Sequence, residues 1–230
     1  MGINARFLAI AQDPRIIPGV HHHCDEWCDY CPVTSRCLAF RCTTEFRKQH
    51  RRRESAATFA SFDEAAAFTR EVSAIEGVPT DELDALVANP PGQSGIETSD
   101  LLAEGAWEYA VQAAVLLMPV ARELASAPPD PDAPKPEQVV LWYHLRIYMR
   151  LFRALVAKDR NRIEDAIGSA KLSLVSIARS RDALRSMGAS YDAADLEALI
   201  TMLDDLERGL DKRFPDARAF VRLGLDVPVS

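Results

Sequence analysis

All five cysteines of the chain fall between Cys24 and Cys42, in the stretch His21-His22-His23-Cys24-Asp25-Glu26-Trp27-Cys28-Asp29-Tyr30-Cys31-Pro32-Val33-Thr34-Ser35-Arg36-Cys37 and, five residues on, Cys42. Thiols gathered so tightly serve either as disulfide staples or as metal ligands. Staples are the poorer reading, because the count is odd and 230 residues can bury a core without cross-links. Phe7 to Ala11 is also too short an apolar run for a secretory leader. The expectation is a metal-binding protein of a reducing cytoplasm.

Charge and hydropathy narrow the class further. No run approaches the length of apolar residues that a membrane span needs, since the stretch Ala110 to Ala121 is interrupted by Gln112 and Pro119. A formal net charge of −7 argues against a general nucleic-acid coat or an anionic-membrane binder. The exception is the basic run from Arg47 to Arg53. If nucleic acid is a partner, Arg47, Arg51, Arg52 and Arg53 are the residues that would meet it.

Composition changes near residue 55. Residues 1–55 lack clean periodicity and read as a cysteine-rich metal-binding segment, whereas 56–230 are rich in alanine and leucine at helical spacing. Two proline-rich stretches, 89–95 and 127–136, are breaks that a helix does not cross. Phe59, Phe62, Ala66 and Val72 open a helix with Ser61 or Asp63 as its cap and Gly77 and Pro79 as its end. Leu102 to Leu124, Val140 to Leu155, Ile163 to Leu184 and Leu196 to Leu210 give four further stripes, the last with near-heptad spacing. The predicted fold is all-α, an antiparallel bundle of four to five helices. Trp27, Tyr30, Phe40 and Phe46 are too much apolar surface for a free loop and too little for a separate core, so the cysteine segment is expected to dock on the bundle.

Four thiolates suffice for zinc or for an iron-sulfur cluster, and the expected ligands are Cys24, Cys28, Cys31 and Cys37, with Cys42 spare and His23 a substitute. Structural zinc sites bring two close pairs together across a longer loop, whereas here one Cys-x2-Cys pair, Cys28 and Cys31, is crowded by the other ligands. The part Cys28-x2-Cys31-Pro32-x4-Cys37 resembles the [4Fe-4S] loop of base-excision DNA glycosylases and of iron-staple nucleases. The whole block Cys24-x3-Cys28-x2-Cys31-Pro32-x4-Cys37 is similar to one in uncharacterised bacterial proteins with a helical remainder. These resemblances imply a [4Fe-4S] cofactor and a bacterial origin, with zinc as the alternative. Cys24-x3-Cys28-x2-Cys31 also satisfies the radical-SAM ligand pattern, but that family needs a β/α barrel and no alternating strands and helices follow Cys31.

Function is expected to be electron transfer or redox sensing with an unknown protein partner, or, with zinc, a structural or partner-binding role. No Gly-rich phosphate loop, nucleophile elbow or His-Glu-x-x-His motif points to catalysis. The Glu-x-x-His pairs of a carboxylate-bridged di-iron bundle are missing too. His144 lies on an apolar stripe and reads as a hydrogen-bonded core histidine, with ligand or proton carrier as its functional alternative. Lys171 either reaches solvent or faces inward against Glu104 or Glu108. Arg146, Arg150 and Arg153 share one helical face and are expected to pair with Asp204, Asp205 and Glu207 or to meet an anionic partner.

Overall fold

The computed structural model describes residues 4–50, 59, 61–77, 100–126, 130 and 133–228. Among them the fold is all-helical, with seven α-helices and no strand beyond an isolated bridge between Leu223 and Val227. Contacts divide the chain into two units, one of Met1–Glu97 with Arg222–Ser230 and one of Thr98–Val221. The cysteine-bearing segment thus shares a unit with the helix that follows the compositional change near residue 55. No helix among the described residues is long and apolar enough to cross a membrane. The prolines at 79, 90 and 91 lie outside the described residues.

The first unit holds α1 (Ala5–Ala11), α2 (Leu38–Gln49) and α3 (Phe62–Glu76), with three short 3-10 turns between α1 and α2. Ser61 caps α3 by accepting from the Glu64 N–H at 3.2 Å, and Gly77 closes it at φ 69°, a left-handed conformation that glycine adopts without strain. Start and stop fall where the sequence places them. Phe7, Leu38, Cys42, Phe46 and Val72 form one buried cluster, with Phe59 and Phe68 packed on it. Phe7 meets Phe68 edge to face, with ring centroids 5.6 Å apart. The apolar surface that residues 1–55 lack for a core of their own is supplied here by α3. Each buried large side chain adds about 1.5–3 kcal/mol, which offsets the ordering of the short helices α1 and α2.

A second cluster joins Ile17, Val20 and Cys37, with Val33, Ala39, Phe40 and Leu225 around it. Leu225 comes from a C-terminal turn held by Arg222, whose Nη2 donates to Asp226 at 2.6 Å. Gly224 in that turn has φ 80°, and a Cβ there would lie 2.7 Å from Ile17 Cδ1. Gly224→Ala is therefore expected to destabilise this unit by about 1–3 kcal/mol, from left-handed strain plus overlap. Urea titration followed by fluorescence in a chain with Trp107 and Trp142 replaced by Phe, so that Trp27 alone reports, checks it, and an unchanged midpoint would contradict the seating of this turn.

The second unit contains α4 (Leu101–Ser126), α5 (Pro136–Asp159), α6 (Ile163–Ser186) and α7 (Ala193–Arg213). Helix α5 packs on α4 and α6, and α7 packs on the same two helices. Pro136 at the first position of α5 has no N–H to leave unpaired. Asp192 caps α7 by accepting from the Ala194 N–H at 2.7 Å. Tyr109, Leu117, Val140, Tyr143, Ile147, Leu151, Ile177, Leu184, Leu203 and Leu210 are fully or almost fully buried. The small residues Gly168, Ser169, Ala170, Ser173 and Ser176 make the buried side of α6, which favours close approach of its neighbours. Two of the buried hydroxyls are satisfied within α6, Ser176 donating to the Leu172 carbonyl at 2.8 Å and Ser173 to the Ser169 carbonyl at 3.2 Å. Leu203→Ala should cost about 2–5 kcal/mol, because it opens a cavity at a position with no exposed surface. A denaturant midpoint followed by far-ultraviolet circular dichroism reads this.

Several polar expectations are redirected by this packing. The acidic face of α7 meets Arg181 of α6, which contacts Glu207 and reaches Asp204 at 2.8 Å, while Arg218 pairs with Glu207 and Asp211 at 2.7 Å. Since α7 packs on α6, Asp204 and Glu207 meet Arg181 there, while Asp205 pairs within α7 with Arg208. Arg153 pairs instead with Asp165 at 2.9 Å, and the Arg146 guanidinium rests 3.7 Å from the Trp142 ring centre. Lys171 donates to the Arg218 carbonyl at 2.9 Å, so its partner is a backbone oxygen rather than Glu104 or Glu108. His144 Nδ1 lies 2.7 Å from the Leu141 carbonyl, and burial lowers its pKa from the ordinary value.

Candidate metal centre

The cysteine block is a chain of tight turns, and the backbone explains why. Val20–His23, Cys28–Tyr30 and Thr34–Arg36 are 3-10 turns, in which each hydrogen bond closes over three residues and successive side chains point in different directions. Cys28 and Cys31 bracket one turn, where the Cys31 N–H donates to the Cys28 carbonyl at 3.2 Å. Cys37 follows the next, its N–H donating to the Thr34 carbonyl at 3.2 Å, and stands at the N-terminus of α2. The loop is clamped at its base by the Ile17 N–H donating to the Arg36 carbonyl at 2.9 Å and by Arg36 Nε donating to the Arg15 carbonyl at 2.9 Å. Asp13 adds a third tie, accepting from Arg41 at 2.6 Å and from Arg15 at 2.7 Å. Trp27, nearly buried, meets Tyr30 edge to face with centroids 4.9 Å apart.

All five cysteines are free thiols. Burial pushes the Cys24 thiol up to about 12, Cys28 up to about 11 and Cys42 up to about 12, and raises Cys37 as well. After burial, nearby negative charge adds to the rise: Glu26 and then Cys37 for Cys24, Cys37 and Cys31 for Cys28, and Cys31 for Cys37. The four expected ligands therefore lie close enough to feel one another's charge. Backbone N–H groups partly offset the rise, from Glu26 at Cys24 and from Phe40 and Ala39 at Cys37. Glu26 is held at φ 61°, a conformation uncommon outside glycine. Thiols kept protonated at neutral pH are poor nucleophiles, which disfavours thiol-disulfide chemistry. A metal ion or cluster removes that proton outright, so thiols whose charged form is disfavoured in the free protein remain suited to ligation.

Cys42 differs from the other four. It is fully buried in the apolar cluster of Phe7, Leu38, Phe46 and Val72 on α2. Cys28, by contrast, is exposed. Among the described residues, the ligand atoms that converge to within 4.8 Å of one another belong to His21, His22 and Glu76, and no three cysteine sulfurs do so. Around zinc, bonds of about 2.3 Å at tetrahedral angles place sulfurs only about 3.8 Å apart. The three-histidine run is visible in the sequence, but Glu76 ends α3 more than fifty residues later and carries no local signal there. Burial alone would raise the Glu76 carboxyl. Contact with His22, the charges of His21 and His22, and the Gly19 backbone N–H outweigh it and hold the carboxyl below its ordinary value. His21 shifts the other way, with burial lowering it against the pull of Glu76.

The remaining candidates lie apart from this arrangement. Of the basic run, Arg47 is half-buried in the last turn of α2, and Arg51, Arg52 and Arg53 lie outside the described residues. Compared with known protein families, curated proteins and solved structures, the chain matches none.

Proposed function

We propose that the chain is an iron-sulfur protein whose Cys24, Cys28, Cys31 and Cys37 hold a [4Fe-4S] cluster, and that it acts in electron transfer or redox sensing with a protein partner in the bacterial cytoplasm. The observation that carries this reading is the set of four free thiols placed on successive tight turns with a clamped base. The choice of a cluster over a single zinc ion rests on the spacing Cys28-x2-Cys31-Pro32-x4-Cys37, with one close Cys-x2-Cys pair crowded by the other ligands.

A cluster of this kind supplies reversible one-electron transfer. The chain's own residues would hold and tune it. N–H groups of Glu26 at Cys24 and of Ala39 and Phe40 at Cys37 favour negative charge on sulfur, which raises a cluster potential. Exposed Cys28 offers an edge where a partner can approach. In this reading α4 to α7 form an antiparallel up-and-down bundle, because each packs on two others and the connection between α5 and α6 is only Arg160 to Arg162.

The redox claim has its own test. Anaerobically purified protein should show a broad visible absorption near ~400 nm that dithionite bleaches and mild reoxidation restores. A colourless protein, or an absorption indifferent to dithionite, would remove the electron-transfer reading.

A further inference from the structure

His21, His22 and Glu76 make an arrangement that the cysteine centre does not use. The two histidines sit on the 3-10 turn Val20–His23, entered through Gly19 at φ 67°, and Glu76 is the last residue of α3. Both Nε2 atoms face the same carboxylate oxygen, Glu76 Oε2, at 3.4 Å from His21 and 3.2 Å from His22. The ring centroids are 4.2 Å apart. The side chains are only 11% exposed for Glu76 and 21% for His21, against 37% for His22.

Two imidazolium rings 4.2 Å apart repel each other, and a neutral ring that turns an Nε2–H toward Glu76 satisfies it only in part, because Oε2 is buried and accepts no well-aligned hydrogen bond from either ring. A divalent cation among the three atoms satisfies all of them at once. With bonds of about 2.0–2.1 Å to nitrogen and oxygen, the edge of a tetrahedral site is about 3.3 Å, which is the spacing of the two nitrogen-oxygen pairs here.

We propose that His21 Nε2, His22 Nε2 and the Glu76 carboxylate bind one divalent first-row transition ion, separate from the cysteine-held metal. The donor set suits an ion of the Zn2+ or Fe2+ class, and three protein ligands leave at least one position for water or an added ligand. The Gly19 backbone N–H favours the charged carboxylate of Glu76. This inference does not depend on which metal the cysteines hold.

Co2+ is the probe, because its spectrum separates nitrogen and oxygen ligands from thiolates. Full-length protein is prepared anaerobically, its cysteine-bound metal is assayed, and Co2+ is then titrated in. One further equivalent should bind, with weak visible d–d bands and no intense near-ultraviolet thiolate-to-cobalt charge transfer. His22→Ala and Glu76→Gln should each weaken that equivalent at least about tenfold while leaving the cysteine-bound metal unchanged. Calorimetry with Zn2+ should give the same stoichiometry and the same order of variants. No saturable extra equivalent overturns the proposal, as do variants that titrate like the parent. Charge transfer accompanying the added equivalent overturns it too, by placing cobalt on cysteine. Because His22 is partly exposed, His22→Ala decides the matter even where Glu76→Gln fails to fold. Zinc in place of iron at the cysteines would sink the iron-sulfur reading and leave this count unaffected.

Discussion

Cys24→Ser, Cys28→Ser, Cys31→Ser and Cys37→Ser are each expected to lower the iron bound per chain by about tenfold or more, because a hydroxyl is a far weaker ligand than a thiolate and an incomplete set leaves iron open to solvent. Cys42→Ser should keep its iron. Its side chain is fully buried among Phe7, Leu38, Phe46 and Val72, so the change instead places a hydroxyl in apolar surroundings, at a cost of about 1–3 kcal/mol in stability. The two measurements therefore separate: iron content falls in four variants with no parallel in Cys42→Ser, whose urea midpoint shifts down while iron holds. Loss of iron from Cys42→Ser together with retention in Cys24→Ser would move the ligand set one cysteine along the chain.

Removing the metal should loosen residues 20–37 selectively. That stretch is built from 3-10 turns held by few backbone hydrogen bonds, and its apolar support is the small cluster of Ile17, Val20 and Cys37. Without a ligand to tie them, four thiols and three short turns keep little that resists opening. Amide exchange there should rise by about 100-fold or more on chelation under reducing conditions, a change of about 2.7 kcal/mol in local opening. Tyr143, Ile147, Leu203 and Leu210 are buried in the unit of Thr98–Val221, and helices α4 to α7 should keep their protection. Unchanged exchange over 20–37 would mean that the loop is organised without metal. Loss of protection throughout α4 to α7 would mean that the metal organises the whole chain.

The long helices were legible because their signals are local. Ser61 and Gly77 bound α3 by capping chemistry, and the leucines from Leu196 to Leu210 keep one face of α7 apolar, so period and punctuation agree. Helix α1 was not legible, since Ala5–Ala11 is too short for a period to show, and of α2 only the turn Leu38-Ala39-Phe40, with Cys42 beyond it as a spare cysteine, could be read. Charge pairing was misread for a related reason. Arg153 and Arg181 look equivalent in sequence, and only the packing of α7 on α6 decides that Arg181 meets Asp204 and Glu207. At the candidate site the cysteine spacing is readable along the chain, whereas the meeting of Glu76 with His21 and His22 depends on where α3 ends in space.

The central claim is the cluster, and its most direct measurement is iron and acid-labile sulfide per chain in protein made under iron-replete, anaerobic conditions. Four thiolates around a cubane predict about four iron and about four sulfide per chain. Stoichiometric zinc, with neither iron nor sulfide, would contradict it.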